Sequence, residues 1–379
     1  AATMRDHFYL AWQYLRHQRF TTAVLVASIT LIVYLPAALQ AIVANAEKHF
    51  RSRSDSTPLI VGPRGSQLEL VLGCLYFDKP HEEVLRYDQL RRIETQQVGL
   101  AIPLHARFKA RDFQILGTTK DYFRKRNLNL ARGREWGMHG ECVIGSGVAD
   151  RLDAEIGDRI PVSTSTRFTL DSPPLRLQVA GVLAPTETPD DEVIFVDLET
   201  TWIIEGLGHG HSRGAAHGSP EEKLYTDITQ ENVGGFHFHG SRAKFPISAL
   251  IVFPTDDKAE TMLLGQYFSP EETAQVVRPR KVMDGFLERV VMIRSYMITM
   301  IAVLSLVTLL TMTLVIILSI RLRRAEIVTM SKIGCSRYTV ASILCSQIAL
   351  ILITGSAMAV VLAVLTDRYG SELARLFVL

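Results

Sequence analysis

TTAVLVASITLIVYLPAALQAIVA, residues 21–44, carries no charged side chain from end to end. A helix needs about 20 mainly apolar residues to cross a hydrocarbon core of ~30 Å. A helix is also the one single-segment structure that satisfies its own backbone in lipid. Pro36 lies inside the run and is accommodated there as a kink. The run is too long for the apolar region of a secretory signal, and no small-residue cleavage site follows it. It therefore reads as an uncleaved anchor. Two more uncharged stretches have the same character, residues 296–320 and residues 340–366, the second with Gly355 inside it. The chain reads as a membrane protein with an α-helical transmembrane bundle.

Working outward, the flanks orient the spans. Arg5, Arg16 and Arg19 precede the first, and Arg321, Arg323, Arg324, Lys332 and Arg337 separate the second from the third. Basic residues concentrate on cytoplasmic loops, so both flanks are expected inside. Residues 45–290 then form a large extracytoplasmic domain inserted between the first two spans, and residues 291–320 form the second span with its stalk. Residues 4–20 place Phe8, Trp12 and Leu15 at helical spacing opposite Arg5, Arg16, His17 and Arg19. That pattern describes an amphipathic helix lying on membrane lipid, with a cytoplasmic extension of the first span as the alternative. Across 379 residues the net charge is only +2, which gives no bulk electrostatic case for nucleic acid.

The outer segment alternates β-rich runs with helical patterns. Runs at Pro58–Val61, Phe113–Gly117, Cys142–Ile144, Leu175–Val182, Val193–Val196 and Ala249–Phe253 read as strands. Pro80–Gln96, Val148–Leu152 and Asp256–Tyr267 read as helices, the last started by Asp256 and Asp257. An α+β domain is expected. Residues 206–240, rich in Gly and His, read as a long loop or lid.

Of 11 histidines, five fall in that stretch: His209, His211, His217, His237 and His239. On an extended segment, side chains at i and i+2 share a face, so each His-x-His pair could grip one metal ion. Imidazole ligands suit zinc first and copper second, with Glu221, Glu222, Asp227 and Glu231 as oxygen donors. A solvated loop with incidental histidines and a pH-sensing cluster are the alternatives.

Catalytic motifs are missing. There is no H-E-x-x-H, and no G-x-S-x-G stands on a strand-to-helix turn. The sequence GSG at 145–147 reads as a turn before the helix at Val148, and Asp190-Asp191-Glu192 as a solvated acidic run. No G-x-x-x-x-G-K-[ST] occurs, so no nucleotide is expected on this chain. Cys74, Cys142, Cys335 and Cys345 include no C-x-x-C pair. Cys74 and Cys142 share the outer compartment and could pair there.

RLRRAEIVTMSKIGCSRYTV, residues 321–340, is short and dense in charge. Glu326, Met330 and Ile333 fall on one helical face, and Gly334 sits where a helix would end. Such a helix could dock on a cytoplasmic partner, although topology alone would also account for its arginines. The pattern Arg323, Arg324, Glu326, Ile327, Gly334, Arg337 resembles the MacB/FtsX superfamily of ABC permeases. The blocks CVIGSGVADRLDAEIGDRIPV (142–162), LQVAGVLAPTETPDDEVIFVDLETTW (177–202) and ILGTTKDYFRKRNLNLARGREW (115–136) extend that resemblance over most of the chain.

The resemblance implies a non-catalytic permease in the bacterial inner membrane, N-terminus cytoplasmic, paired as a homodimer. It implies a separate cytoplasmic ABC ATPase as partner, contacted through residues 321–339 at Arg321, Arg323, Arg324, Glu326, Lys332, Gly334 and Arg337. ATP-driven motion would pass to the outer domain and act on a periplasmic client or binding protein. Members of the superfamily usually have four spans, so residues 367–379, ending SELARLFVL, read as an outer segment that begins a fourth. The acidic residue frequent in the third span is Gln347 here. Two other classes remain: an FtsX-like membrane regulator of a periplasmic enzyme, and a membrane-anchored periplasmic metal sensor.

Overall fold

The computed structural model describes residues 4–78, 83–163, 174–210, 225–322, 324, 328–329, 332 and 337–378. It divides into two compact units, Ala1–Lys48 with Leu287–Leu379, and His49–Phe286. The helices in chain order are α1 (Met4–His17), α2 (Arg19–Asp55), α3 (Gln67–Leu75), α4 (Asp88–Gln96), α5 (Lys120–Arg126), α6 (Ser146–Leu152), α7 (Leu198–Ile204), α8 (Asp257–Gln266), α9 (Pro279–Leu322) and α10 (Arg337–Val378). Three are long and apolar enough to cross a membrane, within Arg19–Ala44, Pro279–Leu314 and Ala341–Thr366.

These three run well beyond their apolar stretches. α2 continues to Asp55, because ANAEKHFRSRSD is rich in helix formers and holds no breaker. α9 begins at Pro279, a residue suited to a first helical turn. α10 carries on to Val378, so residues 367–378 extend the third helix rather than forming a separate segment. A turn at Gln18 separates α1 from α2, and Thr22 Oγ1 bonds the Leu15 carbonyl across it at 3.1 Å.

Within the first unit α2 and α10 touch at a small residue. Thr30 Oγ1 donates to the Gly355 carbonyl at 3.1 Å, and a Cβ on Gly355 would press into Ile29. Small residues allow this approach where lipid supplies no hydrophobic drive. Tyr34 and Thr366 hydroxyls meet at 2.8 Å, and Ile29, Ile351 and Met312 of α9 form a small buried cluster.

The second unit is built on a mixed sheet. Its strands are β1 (Leu59–Pro63), β2 (Leu85–Arg86), β3 (Gly99–Ala110), β4 (Phe113–Thr118), β5 (Leu130–Gly133), β6 (Glu141–Ile144), β7 (Arg159–Pro161), β8 (Leu175–Leu183), β9 (Val193–Asp197), β10 (Gly208–Gly210), β11 (Thr226–Asp227), β12 (Phe236–Phe238), β13 (Pro246–Ile247), β14 (Ala249–Pro254) and β15 (Ala274–Val277). Among the described residues the main sheet runs β11-β8-β6-β9-β4-β3-β14-β1-β15, with β5 and β7 also on β8. The pairs β4–β9, β6–β8 and β8–β11 are parallel and the rest antiparallel.

Alternate residues feed opposite faces. Ile60, Ile102, Val143, Phe195 and Ile251 join one core with α3, α5, Phe50 of α2, and Met283 and Phe286 of α9. Leu59, Val61, Leu250 and Val252 face α4, α7 and α8, while Cys142, Ile144, Ile194 and Val196 face α6 and Ile160 of β7. Burial on both faces explains why these strands read as unbroken apolar runs. Cys74 and Cys142 are buried in different cores on opposite faces of the sheet, so the pairing considered from sequence does not occur.

Local chemistry sets the helix starts. Asp256 accepts from Ala259 N at 2.7 Å, where the sequence places a start. Ser66 accepts from Glu69 N, the Ser-x-x-Glu arrangement of a capping box, and begins a helix the sequence reading missed. Within the stretch read as helix from Pro80, the described part is strand β2 followed by α4 from Asp88. The 12-residue β3 was also missed, because Pro103 breaks its pattern. β3 pairs with β14 over residues 99–104 and with β4 from His105 onward. Pro103 thus lies beyond the β4 ladder, where Thr118 Oγ1 bonds its carbonyl at 2.9 Å.

Candidate functional site

The last turn of α2 carries Arg53 into the interior of the second unit. It is 6% exposed, and Asp190 in the 3-10 turn Pro189–Glu192 is 1% exposed. Arg53 Nη1 donates to Asp190 Oδ2 at 2.6 Å and Nη2 to Oδ1 at 2.8 Å, a bidentate fork. Nη2 also meets Tyr122 Oη at 2.9 Å, and that hydroxyl donates to Asp190 Oδ1 at 2.8 Å. The Phe77 ring lies 5.5 Å beneath the guanidinium. Burial alone would push the Asp190 carboxyl up, but the Arg53 charge and hydrogen bonds outweigh it and hold the group below the usual carboxylate range. Nearby, Arg126 donates to Ser56 Oγ and Thr57 Oγ1, both at 2.7 Å.

Asp190 and Asp191 of the acidic run are therefore not solvated, contrary to the sequence reading, while Glu192 is half-buried. Asp191 accepts from Thr186 N at 3.0 Å and Thr186 Oγ1 at 2.8 Å. Gly145 lies against it, where a Cβ would collide with the Asp191 carbonyl, and is followed by α6 as the turn reading expects.

The stretch read as a loop from 206 to 240 holds an antiparallel ribbon of β10 and β12. His209 stands opposite His237 in its register. His237 and His239 share a face, as i and i+2 must on a strand, with ring centroids 4.7 Å apart. His211 and His217 lie outside the described residues. Among the described residues no group of three or more His, Cys, Asp or Glu is arranged to hold a metal ion.

Phe238, on the opposite face, pins the ribbon down. Its ring packs edge-on against Trp202 at 6.2 Å and His139 at 6.5 Å, and near Phe245 at 5.9 Å. Arg242 covers it at 5.4 Å and pairs with Glu199 at 2.9 Å. His139 is gripped from both sides: Nδ1 meets Asp197 at 2.8 Å and Nε2 meets Glu199 at 3.2 Å. The hydrogen bond to Asp197 raises its pKa, against partial burial. With both nitrogens donating, the ring favours the imidazolium form.

Of the residues assigned to ATPase coupling, Arg321 lies in the last turn of α9, Arg337 opens α10, and Arg324 and Lys332 are helical and exposed. Arg323, Glu326 and Gly334 fall outside the described residues.

The sequence family described as the MacB-like periplasmic core domain matches residues 21–223. The chain belongs to that family. The chain is also similar to the periplasmic region of MacB from Actinobacillus actinomycetemcomitans, at 11% identity and TM-score 0.37, over 62% of this chain and 97% of that one. It is similar to the extracellular domain of the ABC-type transporter YknZ from Gram-positive bacteria, at 10% identity, TM-score 0.34 and coverage of 58% and 98%. A domain of a putative permease from Porphyromonas gingivalis gives 12% identity, TM-score 0.29 and coverage of 59% and 89%. No curated protein matches the chain.

In this MacB-like domain the buried Arg53–Asp190–Tyr122 cluster and the Asp197–His139–Glu199 clamp escaped the sequence reading. Their members lie far apart in the chain. Only the fixed spacing of Asp197 and Glu199 to the helix start at Leu198 left a local trace.

Arg53→Ala leaves a buried carboxylate without its counter-charge and should destabilise the domain by about 3–5 kcal/mol. The double variant Arg53→Met, Asp190→Leu should recover most of that loss. Urea unfolding of the full chain, followed through buried Trp136 and Trp202, measures both.

The clamp has a pH signature. Because folding raises the His139 pKa, its contribution is complete below the ordinary 6.5 and fades as pH rises through the raised value. His139→Gln should therefore cost about 1–2 kcal/mol near pH 5.5 and less near pH 8.5. Equal losses at both pH values would show that the ring is neutral in the folded state.

Proposed function

We propose that this chain is the permease subunit of an ABC complex that works by transmitting motion, not by carrying out chemistry of its own. A separate cytoplasmic ATPase supplies hydrolysis, two copies of the chain form a homodimer, and the outer domain acts on a periplasmic client. The N-terminus lies in the cytoplasm of a bacterial inner membrane, with α1 on the lipid surface.

The observation that carries this reading, beside family membership, is how the second unit includes the ends of two helices. Phe50 of α2 packs on Phe286 of α9 at 6.0 Å, and Arg280 pairs with Asp55 at 3.4 Å. Phe50, Met283 and Phe286 belong to one core with the sheet. A force arriving along either helix would load the sheet directly, because close-packed interiors transmit strain.

The tagged full chain, purified from its native membrane in mild detergent, should bring with it an ATPase whose sequence contains G-x-x-x-x-G-K-[ST]. Arg324→Glu with Lys332→Glu should reduce the co-purifying ATP hydrolysis about tenfold or more, with the chain still folded. Activity that survives both changes, or that never rises above background, would count against the coupling assignment.

The shared face of His237 and His239, with His209 opposite, favours metal handling as the business of the complex, zinc ahead of copper. The full chain should bind zinc stoichiometrically, and changing His209, His211, His237 and His239 to Ala should abolish it. Absence of binding in the unaltered chain would return the ribbon to a structural role.

A further inference from the structure

The two ends of the main sheet are finished differently. At one end β11 is two residues long and stapled by charge: Asp227 pairs with Arg159 at 2.7 Å and also with Arg176. Short edge strands and charged side chains are the usual protection against unwanted pairing. At the other end β15 reads AQVV, without a charge, a proline or a bulge, and no described strand lies beyond it.

The register shows which groups β15 offers. β1 and β15 are antiparallel, with Ile60 opposite Val277 and Pro63 opposite Ala274. One step further, Arg64 N donates to the Thr273 carbonyl at 3.1 Å, which marks a hydrogen-bonded pair. Hydrogen-bonded and non-bonded pairs alternate along an antiparallel ladder. The pairs Pro63–Ala274 and Val61–Val276 are therefore non-bonded, and the N–H and C=O of Ala274 and Val276 point away from β1. Ala274 is fully buried, so Val276, half-buried and lining the groove described next, is the residue that offers these groups at the edge.

A groove of about 500 Å³ runs along that edge. Gln67 lines it from α3, on one face of the sheet, and Tyr267 and Phe268 line it from the end of α8, on the other. It thus wraps the strand rather than lying on a face. Phe268 is 84% exposed. Arg64 and Arg278 supply positive charge, and among the described residues no carboxylate lines the groove. Arg278 is shared with Glu260 at 2.6 Å, whereas Arg64 bonds the neutral Ser269 carbonyl and forms no ion pair among the described residues. Glu83, near Gly65, is not among the lining residues.

We propose that β15 is a docking edge that accepts an extended, acidic segment of a partner protein as an added strand. Main-chain bonds to Val276 would give affinity, Phe268 would cover the apolar side chains, and Arg64 would select carboxylates. Pairing of β15 with a second copy of this chain is disfavoured, since it would bring Arg64 and Arg278 toward their own duplicates. The proposal extends the permease reading by giving the chemistry of a partner. Its test needs no ATPase, so either can fail without the other.

The test uses the full chain in lipid nanodiscs and a panel of fluorescent eight-residue peptides. Each alternates Thr or Val with varied residues, half of the panel ending in two aspartates and half in two lysines. Fluorescence anisotropy should show saturable binding of aspartate peptides, at least about tenfold tighter than their lysine counterparts. Val276→Pro removes an outward N–H without touching the β1 ladder and should weaken binding about tenfold or more. Arg64→Glu, at an exposed position, should reverse the charge preference even if Val276→Pro fails to fold. No saturable binding, binding indifferent to peptide charge, or binding unchanged in either variant would overturn the proposal. So would conversion of a dimer to monomers by Val276→Pro, which would make the edge a contact between copies.

Discussion

A buried bidentate pair, Arg53 with Asp190, is the constraint on which the outer domain turns. Withdrawing two charges from water costs several kcal/mol each unless geometry is good and the remaining groups are bonded. Here Tyr122 bridges the two partners and Thr188 donates to Asp190 at 3.1 Å. Of this cluster, Arg53 Nε alone is left without a partner among the described residues. The pair is better understood as fixing position than as adding stability. Asp190 lies in the turn that leads straight into β9, and β9 sits between β4 and β6 in the sheet. A shift of that turn would move the register of two ladders together.

The same region gathers the other long-range joints. Tyr76 Oη donates to the Phe50 carbonyl at 2.7 Å, and Lys125 lies over the Phe253 ring at 4.9 Å. Helix ends, α3, α5 and most strands of the sheet thus share one core. The other face of the sheet is packed by α4, α7 and α8, which contain none of the long helices. The helix ends and the exposed ribbon are therefore served by different layers, with the sheet between them.

Much of this architecture was legible in the sequence. The three apolar runs could be read because length and absence of charge are local properties. The six strand runs could be read because strands buried on both faces are continuously apolar. β3 was not legible, since its proline is tolerated only by a ladder that changes partner beside it. The acidic run at 190–192 was misread for a related reason. A carboxylate in a loop is solvated unless a distant arginine reaches it, and Arg53 lies 137 residues away. The histidine spacing gave no sign that Phe238, between His237 and His239, anchors the ribbon.

His105 and His139 respond to pH in opposite directions, and their combination bounds the domain's stability on both sides. His105 is fully buried on β3, with Nε2 on Glu205 at 3.1 Å and Nδ1 without a partner. Burial lowers its pKa despite the carboxylate, because a proton on Nδ1 would meet no acceptor. Its contribution is present above the ordinary 6.5 and is lost as pH falls below that toward the lowered value. The His139 contribution is present below 6.5 and is lost as pH rises above it. Neither loss overlaps the other. Their sum is greatest close to neutrality and declines on either side, so the two histidines tune the domain to one band of pH although they sit in separate parts of the fold.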